Sequence, residues 1–304
     1  MDPVQSAVTG AFGYTGKYIT RRLLAQGNQV ITLTGHPDRP NEFKGQVKAF
    51  PFNFENPDAL TASLQGVETL YNTYWVRFDH GERTFERAVA NTRVLMDCAQ
   101  AAGVWRMVHV SISNPSIDSP LPYFRGKALL EEAIQQSGLS YAILRPTVIF
   151  GREDVLINNI AYLLRRFPAF AVPGSGAYRL QPVFVEDMAE LAVQAGQGDK
   201  NLTMDVVGPE IFTFDELVGL IAQALSSRVR LIHLPPGLAL ALSRLVGLAV
   251  GDVVLTRDEL AGLSAGLLVS SQPPSGQTKF SEWVRENAQN LGREYASEIG
   301  RHYR

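Results

Sequence analysis

The 304-residue chain has a single cysteine, Cys98, which excludes an internal disulfide and any cysteine-based zinc cluster and fits a reducing compartment. Charge excess is missing too: 28 basic and 30 acidic residues leave a net −2, so bulk electrostatics draw it neither to nucleic acid nor to an anionic membrane. Histidine is sparse. His36, His80, His109, His233 and His302 show no H-x-x-x-H spacing, and no metal site is expected. No uncharged apolar run reaches membrane-spanning length; the nearest, Leu234 to Leu255, is broken by Pro235, Pro236, Arg244 and Asp252. That stretch reads as a buried or half-exposed helix over 238–250, ranked above a peripheral membrane contact. The first residues carry no basic-then-apolar leader, and the expected location is the cytoplasm. No internal repeat is visible.

What the chain has is apolar content, 45% of its residues, enough to bury a large core in one extended domain or two close ones. Its most informative stretch is Thr9-Gly10-Ala11-Phe12-Gly13-Tyr14-Thr15-Gly16, which follows the short apolar run Ser6-Ala7-Val8 and opens a helical pattern from Lys17 to Gln26. Strand, glycine turn and helix in that order suit a dinucleotide phosphate. One glycine makes the tight turn, one lets the backbone approach the pyrophosphate, and one lets the helix pack against the strand. The helix N-terminus then offers N–H groups and a positive dipole end to the phosphates.

Strand-like runs at 30–34, 47–52, 69–72, 106–111 and 140–144 alternate with helical patterns at 58–64, 85–99 and 123–137. This is an α/β pattern: a Rossmann-type, doubly wound parallel sheet over residues 1–151, its sheet completed by 183–207. Residues 152–304 read as a smaller, mostly helical C-terminal lobe that would shape a substrate pocket at the mouth of the sheet. Within that lobe Thr213 and Glu216 form a capping-box pattern, and a charged, aromatic tail helix is expected over 279–303.

Tyr123 and Lys127 form a Y-x-x-x-K on one helical face. A free tyrosine, with a pKa of about 10, is a poor acid or base at neutral pH. A neighbouring ammonium favours the phenolate, and the same ammonium can hold a nicotinamide ribose. Just upstream a strand ends in Ser111-Ile112-Ser113, and either hydroxyl is a candidate to hold a substrate oxygen. His109 on that strand reads as a core histidine, and Glu186 and Asp187 as helix-start residues.

With these residues in view, the chain resembles the short-chain dehydrogenase/reductase superfamily in its atypical and extended branches. The resemblance rests on the glycine turn, Tyr123 with Lys127, and the block 144–151 that begins Leu144-Arg145-Pro146. It continues in 181–189 and 206–210, which look most like NmrA-like proteins and the nucleotide-binding accessory subunit of respiratory complex I. The resemblance implies that Arg145-Pro146, with Thr147 and Val148, shapes the cofactor and substrate mouth. It also implies that 183–189 start a helix of the smaller lobe. Two departures stand out. Ile112 occupies the position where many extended members place the hydroxyl residue, and bulky Tyr74 and Trp75 replace the small residues usual after the fourth strand. They would either narrow the site beside the nicotinamide or stack on an aromatic substrate, with plain packing as the alternative.

After the second strand no acid stands where an NAD ribose would need one, while His36 and Arg39 lie close by; this favours NADP(H), and Asp38 keeps NAD(H) open. The expected cofactor-binding set is therefore Gly10, Phe12, Gly13, Tyr14, Thr15, Gly16, His36, Arg39, Asn53 near the adenine, Asn72, Thr73, Tyr123, Lys127, Pro146, Thr147 and Val148. The expected chemistry is hydride exchange with a small carbonyl, alcohol or sugar-like substrate, by a dehydrogenase or epimerase with Tyr123 as acid/base. The rival expectation is a redox sensor or assembly partner that binds NADP(H) without turnover. A homodimer through surface helices is compatible with either.

Overall fold

The computed structural model describes residues 4–302. In chain order they form β1 (Gln5–Thr9), α1 (Tyr14–Ala25), β2 (Gln29–Thr34), β3 (Val47–Pro51), α2 (Pro57–Ser63), β4 (Thr69–Asn72), α3 (Phe85–Ala101), β5 (Arg106–Val110), α4 (Pro122–Gln136) and β6 (Ser140–Pro146). There follow β7 (Ile149–Phe150), α5 (Leu156–Arg166), β8 (Ala169–Pro173), β9 (Arg179–Leu180), β10 (Val183–Phe184), α6 (Val185–Gln197) and β11 (Leu202–Val206). The chain ends in β12 (Phe212–Thr213), α7 (Phe214–Ala224), β13 (Arg230–Leu234), α8 (Pro236–Val250), α9 (Arg257–Ser264), α10 (Phe280–Asn287) and α11 (Glu298–His302).

The chain divides into two compact units. The first runs to Pro146 and takes back Val185–Asp205; the second holds Thr147–Phe184 and the chain from Val206. The first unit carries a seven-stranded sheet in the order β11-β6-β5-β4-β1-β2-β3. The pairings β1–β2, β2–β3, β1–β4, β4–β5 and β5–β6 are all parallel. Parallel strands need crossovers: α1, α2, α3 and α4 supply those after β1, β3, β4 and β5, and residues 35–46 join β2 to β3 without a helix. Asn56 caps α2 through Ala59 N, with Pro57 at the first helical position, and Thr84 caps α3 through Arg87 N. Leu60, Leu70, Leu95, Met107, Ile134 and Ile143, all buried, fill one core of this unit. Winding outward in both directions from the β1–β4 boundary makes that boundary the topological switch point, where open α/β sheets bind ligands beyond the strand carboxyl ends.

Buried Arg106 explains how residues 185–205 return to this unit. From β5 its guanidinium donates to Ala195 O at 2.7 Å, to Ser140 Oγ at 2.5 Å and to Lys200 O at 2.8 Å. At the other end of α6, Arg22 of α1 pairs with Glu186 at 3.5 Å and Glu190 at 3.4 Å. The helix that the resemblance gives to the smaller lobe is thus a helix of the sheet unit, and the sheet unit closes at Pro146 rather than at 151.

The second unit has its own core around Phe150, Ile160, Phe170, Leu217, Phe280 and Trp283. Its strands are short pairs: β10 with β7, β12 with β9, and β13 with β8. Thr213 and Glu216 make both bonds of a capping box at α7. The expected tail helix is broken instead into α10 and α11. Gly292, at φ +66°, separates them and lies so close to α5 that an added Cβ would meet Tyr162 N at 2.3 Å. Arg165 and Arg166 of α5 donate to Leu291 O and Arg293 O, so the tail docks on its own unit. Tyr303 and Arg304 lie outside the described residues. Among the described residues no helix is long and apolar enough to cross a membrane.

Candidate functional site

The glycine turn sits at the carboxyl end of β1, on the switch point. Gly10 takes φ +68°, a left-handed conformation that suits glycine. Its N–H donates to Leu33 O at 2.8 Å and its carbonyl accepts from Gly13 N at 2.8 Å, closing the loop. Ala11 N donates to Thr32 Oγ1 at 3.0 Å, tying the turn to β2. A Cβ on Gly16 would stand 2.3 Å from Gly10 O, so only glycine lets α1 start against the turn. Gly13 is the N-cap of α1 and brings no capping side chain, and the first turn of α1 has no acid. A cradle that a Cβ would fill, beneath a helix start without a side-chain cap or an acid, fits a pyrophosphate. Phe12 lies near Phe43, with ring centroids 6.3 Å apart, and Tyr14 meets Tyr18 edge-on at 5.9 Å, while Thr15 opens α1 half-buried.

Across the switch point Thr9 Oγ1 accepts from Thr73 N at 2.7 Å and donates to Asn72 Oδ1 at 3.1 Å. Thr73 Oγ1 donates to Thr9 O at 2.6 Å. Asn72 and Thr73 are thereby structural fasteners of β1 to β4. Asn72 Oδ1 also accepts from Tyr74 N at 3.1 Å, and its amide lies 3.0 Å from His109 Nδ1. Burial and the Lys127 charge hold His109 well below the usual histidine range, so it is neutral. Its Nε2 is buried without a partner, so this core histidine is only half satisfied.

At the end of β2, His36 N donates to Thr34 Oγ1 at 3.2 Å and Arg39 N to His36 O at 3.2 Å. That short turn holds both side chains half-buried at the strand's carboxyl end and leaves Asp38 exposed. Asn53, at φ +49°, turns the chain beyond β3 beside an aromatic group of Phe52, Phe54 and Tyr74, with centroids 4.9 to 5.1 Å apart. The phenol of Tyr74 accepts from Asn91 Nδ2 at 2.9 Å.

Tyr123, Lys127 and Glu131 follow one another at intervals of four along α4. Tyr123 meets Trp75 and Phe85 edge-on at 5.6 and 5.8 Å. Lys127, only 2% exposed, donates to Val110 O at 2.7 Å and lies 4.5 Å from the centre of the Trp75 ring. Burial brings its ammonium down to a pKa of about 7, against the opposing pull of Glu131. Gly126 makes room for that ring: a Cβ there would meet Trp75 at 2.8 Å. A glycine inside a helix costs about 1 kcal/mol against alanine, and the packed indole is what it allows.

Ser111 Oγ donates to Glu131 Oε1 at 2.5 Å, and Glu131 receives Arg145 Nε and Nη2 at 3.0 and 2.5 Å. Ser111 thus joins buried Glu131 and half-buried Arg145 in one cluster, through which Arg145 braces β6 against α4. Ser113 is fully buried and its N–H donates to Pro146 O at 2.8 Å. Thr147 and Val148 fall in the second unit, where Thr147 Oγ1 donates to Gln181 O and Val148 O accepts from Val183 N at 2.9 Å. Glu131 is the residue sequence reasoning passed over, although its spacing continues the Tyr123–Lys127 interval. Among the described residues no group of three metal-ligating side chains occurs.

Residues 10–156 match the family model described as NAD(P)H-binding. The chain is 26% identical over 287 residues to the mitochondrial NADH dehydrogenase [ubiquinone] 1 alpha subcomplex subunit 9 of Arabidopsis thaliana, covering 88% of this chain and 71% of that one. It spans 62% and 59% of the Dictyostelium discoideum and Mus musculus counterparts. In fold it is similar to the Citrobacter sp. triphenylmethane reductase complexed with NADP(H), at TM-score 0.76 and 18% identity over 93% of this chain and 99% of that one. The NADPH-dependent quinone oxidoreductase of Escherichia coli, complexed with NADPH, gives TM-score 0.73 and 22% identity over 92% and 99%.

Proposed function

We propose that this chain, an NAD(P)-binding protein of the short-chain dehydrogenase/reductase kind, holds NADP(H) on its 10–16 turn without turning it over. In that role it serves as a redox-sensing or stabilising partner of the complex I accessory-subunit kind. The observation that carries this reading is the state of Lys127. A dehydrogenase of this kind needs that ammonium to hold the ribose and tune the tyrosine, and here it is bonded to Val110 O and closed over by Trp75. Ser111 is committed to Glu131, and Ile112 stands at the hydroxyl position. A bound nicotinamide supplies hydride only where an acid/base and a polarised carbonyl stand ready beside it.

A second reading, an oxidoreductase or epimerase on a small carbonyl or alcohol, is favoured by Tyr123 and Lys127 sharing one face of α4 and by a lysine able to release its proton near neutrality. Titration of the full chain with NADPH and NADH, followed by a carbonyl panel on wild type and Tyr123→Phe, separates the two. Tight binding without turnover, unchanged in Tyr123→Phe, is the expected result. Turnover that Tyr123→Phe abolishes would establish the enzyme instead.

Arg39, with His36, would take the ribose 2′-phosphate. An arginine–phosphate contact contributes about 1.5–3 kcal/mol, so Arg39→Ala should weaken NADPH by about tenfold to a hundredfold. NADH affinity should stay within about twofold. Calorimetric titration of both nucleotides checks this, and equal loss for both would move the 2′-phosphate contact elsewhere.

A further inference from the structure

Helix α8 is built with its large side chains outward. Its buried residues are Ala239 and Gly247, and a Cβ on Gly247 would strike Asp252 O at 2.5 Å. Leu238, Leu242, Leu245 and Leu248 are 55, 40, 64 and 82% exposed. Single exposed leucines are ordinary on protein surfaces. Four at intervals of four, three and three residues fall on one stripe of a helix, and nothing in the core of this unit accounts for them. Ile232, on the strand leading into the helix, is also exposed.

We propose that this leucine face of α8 seats the protein on an anionic lipid surface, as a helix lying in the interface rather than spanning it. Charge selects the occupant. Residues 225–251 carry Arg228, Arg230 and Arg244 with no Asp or Glu, in a chain whose net charge is −2. Arg244 lies at the edge of the leucine stripe, exposed, where its stem can run along the apolar face and its guanidinium reach a headgroup phosphate. In a two-fold pairing of identical faces both copies would bring these arginines to one interface, doubling its positive charge. Anionic lipid neutralises it. The helix has 15 residues, fixed at its start by Pro235-Pro236 and stopped by Gly251 at φ +65°, a length suited to lying flat.

The test is co-sedimentation of the full chain with vesicles of phosphatidylcholine alone and of phosphatidylcholine with an equal part of phosphatidylglycerol, at low and high salt. Binding to the phosphatidylglycerol vesicles is expected, weakened by salt and by Arg244→Glu. The double variant Leu245→Glu/Leu248→Glu should lower it about tenfold or more, with melting temperature and NADPH affinity unchanged. The proposal is overturned by absence of binding to either vesicle or by equal binding of the double variant. A dimer in light scattering that the double variant makes monomeric, with no vesicle binding, would likewise overturn it and assign the face to a second copy.

Discussion

Gly13→Val is expected to remove NADPH binding while leaving the melting temperature close to that of the wild type. Gly13 sits at φ −87° and ψ −173°, extended backbone that valine adopts without strain. A Cβ there would stand 3.1 Å from Gly10 O, a crowding that a shift of a few tenths of an ångström relieves. The two methyl groups would fill the space through which the pyrophosphate reaches the N–H groups at the start of α1. Two charge-assisted bonds to phosphate, at about 1.5–3 kcal/mol each, make the expected loss about a hundredfold or more in affinity. Gly16→Ala is the contrasting control. Its Cβ would meet Gly10 O at 2.3 Å and Gly10 C at 2.8 Å, both backbone atoms, so α1 must move off the turn and the fold itself loses stability. Calorimetric titration beside thermal melting separates the two effects. Gly13→Val binding NADPH within about threefold of wild type would mean that the nucleotide does not lie on this turn.

The sheet unit was legible because its signals are local. The 10–16 turn and the alternation of buried strands with crossover helices are each written within a few residues. The second unit was less legible for the converse reason. β7, β9, β10 and β12 are two residues long, and each exists only because a partner tens of residues away pairs with it. Strands that short carry no periodicity to read. The break in the tail follows from the same logic, since Gly292 is placed by its contact with α5 and not by its neighbours in sequence. At the candidate site, spacing showed that Tyr123 and Lys127 share a face but not which way that face looks. Glu131 and Arg145 meet across a helix and a strand, and Trp75 reaches Lys127 from the loop that follows β4. Those contacts are tertiary.

Lys127→Met is expected to be at least as stable as the wild type at pH 7, by about 1–3 kcal/mol, and to lose that advantage as pH rises towards 10. Burial brings the folded pKa from 10.5 down to about 7, with Glu131 pulling the other way but already engaged by Arg145 and Ser111. The unfolded chain therefore binds the proton more tightly than the folded one. Stability depends on pH as the protons bound by the unfolded state minus those bound by the native state, a positive difference here, so wild-type stability climbs through the window from about 7 to about 10.5. Below that window the cost of burying the charge is fully present. A depression of this size corresponds to roughly 4–5 kcal/mol against a neutral side chain. Methionine removes that cost and keeps a stem against Trp75, while giving up the bond to Val110 O and the cation–ring contact, together about 2–3 kcal/mol. Urea denaturation of both proteins from pH 6 to pH 10 checks the closing of the gap; a constant gap would mean that Lys127 titrates as an ordinary lysine. The same variant reports on function. If Lys127 is enclosed as the proposed reading holds, NADPH affinity stays within about threefold, whereas a lysine that grips the ribose would take about tenfold of affinity with it.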